Sequence, residues 1–158
     1  MAPHKDWTAV AVGAGYLAVF YICLVEVHRR RDGFPSTLAA VAGVLLFVLG
    51  LALRTAALRR LGARWSIQLD RAEAPDELVR TGPYRFIRHP VYLAAMFEVL
   101  GLAMAFATPA AFVVGALLFC PAELLRARFE ERVLTERFGT RYAAYAREVG
   151  GFLPRFRG

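Results

Sequence analysis

The chain has 158 residues, of which 58% are hydrophobic and 21% charged, with a mean hydropathy of +0.42 and a formal net charge of +7. These values exclude a disordered chain, which needs low hydrophobicity, and leave a water-soluble fold without enough polar residues to cover its surface. The expected fold is all-α: one membrane-embedded domain over residues 1–158 with about four transmembrane helices.

Thr8 to Val25 carries no charge and has Trp7 at one edge and Tyr21 near the other. It is long enough to cross a hydrocarbon layer of about 30 Å. Because it ends in Glu26, His28 and Arg29 to Arg31 rather than in a small-residue cleavage site, it is expected to stay attached. Phe34 to Leu53 is the second uncharged run, with Pro35 and Ser36 as an opening turn and cap and with Arg54, Arg59 and Arg60 beyond it. The polar stretch Leu58 to His89, with Trp65, Asp70, Glu73, Pro75, Asp76 and Glu77, is too short for a separate domain and is expected on the cytoplasmic face. From Pro90 to Ala122 the only charge is Glu98, and Thr108-Pro109 divides this run into a helical hairpin, about Val91 to Ala107 and Ala110 to Leu125. Arg126 to Arg147 then mixes charge with Phe129, Val133, Leu134 and Phe138, the pattern of a separate amphipathic helix broken at Gly139. Phe152, Leu153 and Pro154 read as a short apolar anchor.

Four crossings place both termini and residues 54–90 on one side, with Lys5 and sixteen arginines, against Arg29, Arg30 and Arg31 on the other. The positive-inside rule makes the first side the cytoplasm, with Glu26 and Asp32 offsetting part of the opposing triplet. Nineteen of the twenty basic residues are arginine, a bias from which no function follows. Despite a pI of 10.1, nucleic acid is not an expected partner, because the basic residues follow a membrane rim that would equally attract anionic lipid. Cys23 and Cys120 read as buried free thiols, and with three scattered histidines they offer no metal-ligand spacing. Pro121 lies inside the fourth helix beside Glu123; a packing kink is the favoured reading over a lateral portal.

Two constellations carry chemistry. Gly82-Pro83-Tyr84-Arg85-Phe86-Ile87-Arg88-His89-Pro90-Val91-Tyr92 sets a turn, two phenols, a guanidinium and an imidazole just before a membrane helix, a mouth suited to an anion. Its plainer reading is an interfacial belt of Tyr and Arg at headgroup depth. Arg126, Glu130 and Glu131, followed by Tyr142 and Tyr145, form the second; Arg126 and Glu130 stack four residues apart, and the plainer reading is a solvated helix with surface ion pairs. Glu98 is separate. At eight residues beyond Pro90 it lies about 12 Å down its helix, where a carboxylate must be protonated, paired with a cation such as Arg54, or used.

Together the two patterns, G-P-Y-x-x-x-R-H-P-x-Y before a hydrophobic hairpin and R-x-x-x-E-E-x-x-L-x-x-x-F-G-x-x-Y-x-x-Y with a closing L-P after it, resemble the isoprenylcysteine carboxyl methyltransferase family and its bacterial relatives. The resemblance covers about Arg54 to Pro154, the motif-bearing core, including Leu61-Gly62 and Trp65. It implies an integral membrane enzyme of the cell's inner membrane, with a cytoplasm-facing pocket for S-adenosylmethionine. The polar donor would enter from water and a lipidic acceptor sideways from the bilayer. By the family pattern Leu78, Val79, Gly82, Tyr84, His89 and Tyr92 line the cofactor, while Arg88 and Glu131 order its polar ends. Glu98, Arg126 and Glu130 are the candidate catalytic residues.

The family's eukaryotic members methylate a carboxylate, which needs no base. An acid at the place of Glu98 resembles the bacterial branch acting on lipidic phenols or alkylpyrones, where it would take a proton from a group with a reference pKa near about 10. Two features depart from that branch: Val91 stands where it often has Asn, and the F-G-x-x-Y-x-x-Y tail is present. Acceptor oxygen, carboxylate or phenol/enol, therefore stays open, as does oligomeric state. Two other functions compete with this one: a nicotinamide-dependent reductase of sterol-like double bonds, which the helix count disfavours, and a non-catalytic membrane adaptor built on a Glu98–Arg54 charge pair.

Overall fold

Within a bilayer no solvent satisfies free backbone N–H and C=O groups, so uninterrupted apolar runs close their own hydrogen bonds as helices. The computed structural model describes residues 7–30, 37–62 and 77–155. Its helices are α1 (Trp7–Arg29), α2 (Thr37–Leu61), α3 (Pro90–Ala105), α4 (Pro109–Phe138) and α5 (Thr140–Glu148), with a 3₁₀ turn at Gly82–Arg85. Three of them, α1, α2 and α4, are long and apolar enough to cross a membrane. The protein is an all-α integral membrane protein, as its composition requires. α3 is shorter: its 16 residues rise about 24 Å. Pro35, Ser36, Trp65, Asp70, Glu73, Pro75 and Asp76 lie outside the described residues.

Helix bounds depart from the uncharged runs in two ways. α1 and α2 continue past Val25 and Leu53 through Arg29 and Leu61, because long basic side chains can keep an apolar stem against the helix and a charged head in water. The expected separate helix at Arg126 does not exist; α4 runs unbroken from Pro109 through Phe138, and only Gly139, at φ 52°, ends it. A change from apolar to charged side chains alters the solvent and leaves the backbone pattern intact, since Arg, Glu and Leu are all good helix formers. Pro121 is accommodated just after a π turn at Gly115–Phe119, in which the Cys120 amide bonds to the Gly115 carbonyl five residues back.

Packing of α2 on α3 is backbone against backbone. Gly43, Gly50 and Ala57 of α2 are seven residues apart and buried, and the two glycines meet Ala94, Gly101 and Ala105 of α3. A methyl group at Gly43 would fall 2.3 Å from the Ala105 nitrogen, and one at Gly101 2.6 Å from the Phe47 nitrogen. Small residues allow this approach, which raises dispersion where lipid supplies no hydrophobic drive. α1 joins the pair through a core of Val19, Cys23, Ala95, Val99, Ala103, Ala111 and Phe119. Leu17, Leu38 and Leu45 face outward at 72%, 81% and 65% exposure, as lipid-facing side chains do.

The hairpin turn behaves as its sequence suggests. Ala107 takes φ 46°, the Thr108 amide bonds to Ala103 at 2.9 Å, and Pro109 opens α4. Arg30 donates to the Phe106 carbonyl at 2.6 Å and to that of Ala107, while the Ala111 amide donates to Glu26 at 3.2 Å. One end of α1 thus supplies a cation to the C-terminus of α3 and an anion to the N-terminus of α4, each opposing the local helix dipole. Cys23 is buried against Thr108 at 3.3 Å, whereas Cys120 is only half-buried, contrary to expectation; both are free.

Replacing Gly101 by Ala should destabilise the protein by about 1–3 kcal/mol through overpacking. The same change at Gly13, which has nothing within 4 Å of the added methyl, should be near neutral. Thermal unfolding in detergent checks the pair, and equal effects would contradict the seam.

Candidate active site

The segment before α3 and the polar half of α4 are more than forty residues apart in sequence, yet their charges meet. Arg88 donates from Nε to Glu131 at 3.1 Å and pairs with the same carboxylate through Nη2. His89 bridges both acids, Nδ1 to Glu130 at 3.2 Å and Nε2 to Glu131 at 3.0 Å, and is 3% exposed. Glu130 and Glu131, adjacent in sequence on α4, reach one imidazole at its two nitrogens. The belt reading of this segment does not hold for Arg88 and His89, which are paired inside the protein.

A third segment closes the cluster. The Arg88 and His89 amides donate to Gly150 and Gly151 at 2.8 and 3.0 Å, and Ile87 and Gly150 form an isolated parallel bridge. The Arg88 Nη1 donates to the Ala146 and Val149 carbonyls at 3.0 and 2.5 Å. Gly150 has no space for a side chain: a methyl there would meet the Leu153 oxygen at 1.9 Å. α5 is fastened by Tyr145, whose hydroxyl donates to the Tyr84 carbonyl at 2.6 Å; burial pushes this phenol's pKa up to about 12. Phe152, read from sequence as part of an anchor, instead lies 5.5 Å from the His89 ring, while Leu153 is exposed.

Tyr92 stacks on His89 at 5.7 Å from the opposite direction along α3, and the Arg126 guanidinium lies over Tyr92 at 5.9 Å. Arg88, His89, Tyr92, Arg126, Glu130 and Glu131 therefore form one contiguous group. Tyr84 is buried behind it. Leu78 and Val79 are half-buried in the extended stretch leading to the 3₁₀ turn, and Gly82, at φ 61°, packs against the Arg60 stem of α2. An open groove of about 540 Å³ on the same end of the molecule is lined by Arg80, Arg85, Tyr145, Glu148, Val149 and Arg155.

Glu98 belongs to a second cluster, two turns deeper. Arg54 grips it with both arms, Nε to Oε1 and Nη2 to Oε2, each at 2.7 Å, and also donates to the Tyr16 hydroxyl at 2.6 Å. Of the three states open to this acid, the structure adopts the pair with Arg54. Tyr16 and Glu123, the latter 1% exposed, were not singled out from sequence as parts of such a cluster. Both lie in uncharged or mixed runs whose pattern gives no hint of an inward face. Gly150-Gly151 was also missed, although a glycine doublet is a turn signal that could have been read.

Residues 38–141 match the family model described as phospholipid methyltransferase. The chain belongs to this family of membrane methyltransferases. Within it, the chain is 33% identical to the protein-S-isoprenylcysteine O-methyltransferase of Saccharomyces cerevisiae, over 96% of this chain and 68% of that one. It is 29% identical to the methanethiol S-methyltransferase of Pseudomonas deceptionensis, over 99% and 62%. The structure of the eukaryotic intramembrane Ras methyltransferase, an isoprenylcysteine carboxyl methyltransferase, superposes with a TM-score of 0.63 at 20% identity, over 96% of this chain and 53% of that one. That likeness shows a shared fold. The chain thus spans between about half and two thirds of the length of these relatives. The family expected from the two motifs is upheld as a membrane methyltransferase family.

Burial pulls the His89 pKa down, but its bonds to Glu130 and Glu131 outweigh this and hold it above the ordinary value of 6.5. A pKa raised on folding contributes stability that is complete below the unfolded value and fades as pH rises through the folded one. The excess unfolding temperature of wild type over His89→Gln should therefore be largest below about pH 6.5 and shrink above it. A difference that grows with pH would contradict the assignment.

Proposed function

We propose that the protein transfers a methyl group from S-adenosylmethionine to an oxygen of a membrane-soluble lipidic acceptor, at a pocket on the cytoplasmic side of the cell membrane. The observation that carries this reading is the junction of Arg88 and His89 with Glu130 and Glu131, the core of two sequence motifs folded into one cluster. The donor set fits the group. Carboxylates of Glu130 and Glu131 can accept from an ammonium, Arg88 and Arg126 can bind a carboxylate, and the faces of Tyr92 and Phe152 suit a sulfonium. When bound, the donor supplies a methyl group on positively charged sulfur.

The chain's own residues have little covalent work in such a transfer. They align two reactants and exclude water, so rigidity of the cluster matters more than nucleophilicity. Arg88 holds the segment 146–150 by three hydrogen bonds, His89 adds a fourth to Gly151, and together they make one rigid wall from it. His89, fixed between two acids, keeps Glu130 and Glu131 apart in a defined geometry. Leu78, Val79 and Gly82 form the approach from water, with the buried Tyr84 behind them.

The acceptor side is the deeper cluster around Arg54 and Glu98. Two relatives carry different acceptors in their names, a prenylated cysteine and methanethiol, which supports a donor cradle held constant while the acceptor side varies. Both Glu98 oxygens accept from Arg54, so within this reading Glu98 orients Arg54 and Tyr16 and is less suited to taking a proton than the sequence suggests. The basic excess on the 54–90 and C-terminal side supports a cytoplasmic donor site.

Calorimetry on the detergent-purified protein tests the proposal. S-adenosylmethionine and its demethylated product should bind saturably and NADPH should not; binding of NADPH alone would transfer the case to a reductase. His89→Ala should weaken binding of the demethylated product at least about tenfold, the loss of one buried charge-assisted hydrogen bond.

A further inference from the structure

The basic groove beside the donor cluster has no part in the mechanism above. Its volume of about 540 Å³ falls within the range of about 300–1,000 Å³ usual for ligand sites. None of its lining residues is Arg88, His89, Tyr92, Arg126, Glu130 or Glu131. Three of them are arginines and one is an acid, so positive charge is in surplus. Arg80 pairs with Glu148 at 3.0 Å and lies over the Tyr145 ring at 5.1 Å, which matches the acid internally. Arg155 donates to the Ala146 and Arg147 carbonyls at 3.0 and 2.8 Å, both from Nη1, and this leaves its Nε–Nη2 edge for a bidentate acceptor. Arg85 is exposed and has neither an ion pair nor a hydrogen bond among the described residues. Beside these cations stand two apolar side chains: Phe86, next to Arg85, is 60% exposed, and Leu153, two residues before Arg155, is 77% exposed.

We propose that this groove holds the phosphate of an anionic phospholipid from the leaflet at this end of the bundle, a lipid that is not methylated but braces the wall 146–151. Charge selects an anion, and because Glu148 is taken by Arg80, no acid is left for the ammonium of a zwitterionic headgroup. Apolar surface selects a lipid over a soluble phosphate, since acyl chains cover Phe86 and Leu153 where water would not. Depth agrees. Arg85 precedes the first residue of α3 by five positions, and Gly82 packs on Arg60 near the end of α2, which sets the groove level with the helix ends and the headgroups. The bracing follows from one shared atom. The Ala146 carbonyl accepts from Arg155 of the groove and from Arg88 of the donor cluster, each at 3.0 Å. Val149 lines the groove, and its carbonyl also accepts from Arg88. A phosphate that fixes Arg155 therefore fixes the carbonyls against which Arg88 is set. On the methyltransferase reading, on which this last consequence rests, the lipid raises affinity for the donor by positive coupling.

The test uses the full-length protein with phosphatidylglycerol and phosphatidylcholine of the same acyl chains as probes. In detergent, native mass spectrometry should show wild type binding one phosphatidylglycerol at least about tenfold more tightly than phosphatidylcholine. Arg85→Gln, which removes no contact within the described residues, should lower that preference about fivefold, the scale of one arginine at an anionic surface. Arg141→Gln, in α5 but outside the groove, should leave the preference within about twofold of wild type. In phosphatidylcholine nanodiscs, exchanging about a third of the lipid for phosphatidylglycerol should raise affinity for the demethylated product about fivefold in wild type and less than about twofold in Arg85→Gln. Equal binding of the two lipids, an equal loss in Arg141→Gln, or a product affinity indifferent to phosphatidylglycerol overturns the proposal. So does a phosphatidylglycerol effect that Arg85→Gln leaves intact. Equally tight binding of soluble glycerophosphoglycerol overturns it in favour of a free phosphodiester, and displacement of the lipid by the demethylated product overturns it in favour of a donor subsite. Failure of wild type to bind the demethylated product in either nanodisc overturns the methyltransferase reading instead, and the lipid titration in detergent still judges the groove.

Discussion

Inside a bilayer a charge without a partner is so unfavourable that each one fixes the position of whatever satisfies it. This constraint organises the molecule at three depths. At one end of the helices Glu26 of α1 and Arg30 just beyond it hold the two sides of the hairpin turn. In the middle Arg54 of α2 joins Glu98 of α3 to Tyr16 of α1. At the other end Arg88 and His89 join the start of α3 to Glu130 and Glu131 of α4. Every junction links different helices, so the ionic contacts give the bundle its register while the glycine seam gives it its closeness.

The same constraint separates two kinds of chemistry. The end cluster is paired internally and lies beside a basic groove, an arrangement suited to a soluble zwitterion. The deeper cluster is enclosed by apolar helices and suits a group that arrives on a lipid tail. The proposed reaction, with a water-borne donor and a lipid-borne acceptor, would need this division, because neither reactant is at home in the other's solvent. A single helix, α4, contributes to both, so their separation depends on helical rise and not on a loop.

Much of this was legible in the residues. Thr108-Pro109 marked the hairpin, Gly139 the helix end, and the combination of Arg88, His89, Glu130 and Glu131 the family, because each depends on local chemistry or on a motif. Glu98 announced itself as the single charge in a long apolar run, and its partner Arg54 was readable from depth alone. What escaped were relations that sequence does not encode locally. Nothing around Phe152 distinguishes a membrane anchor from a ring packed on His89, and the difference rests on a two-residue bridge between Ile87 and Gly150. Likewise, charge content ended the fourth span near Leu125, whereas the backbone continues for three more turns because helix propensity is indifferent to the change of solvent. Glu123 stood out in the sequence only as a neighbour of Pro121, and its burial is what distinguishes it.

The π turn at Gly115–Phe119 has a structural corollary. Such a turn amounts to one surplus residue in an α-helix, and it rotates everything downstream by about 100° relative to the part upstream. The outer third of α4 can thus keep its fit to α1 and α3 while the stripe bearing Glu123, Arg126 and Glu130 is aimed independently. Shortening the chain by a residue there would leave the hairpin turn and every polar side chain in place along the sequence, yet swing that stripe out to face acyl chains. Within this architecture, a single insertion is enough to re-address a polar helix face without redesigning the surrounding wall.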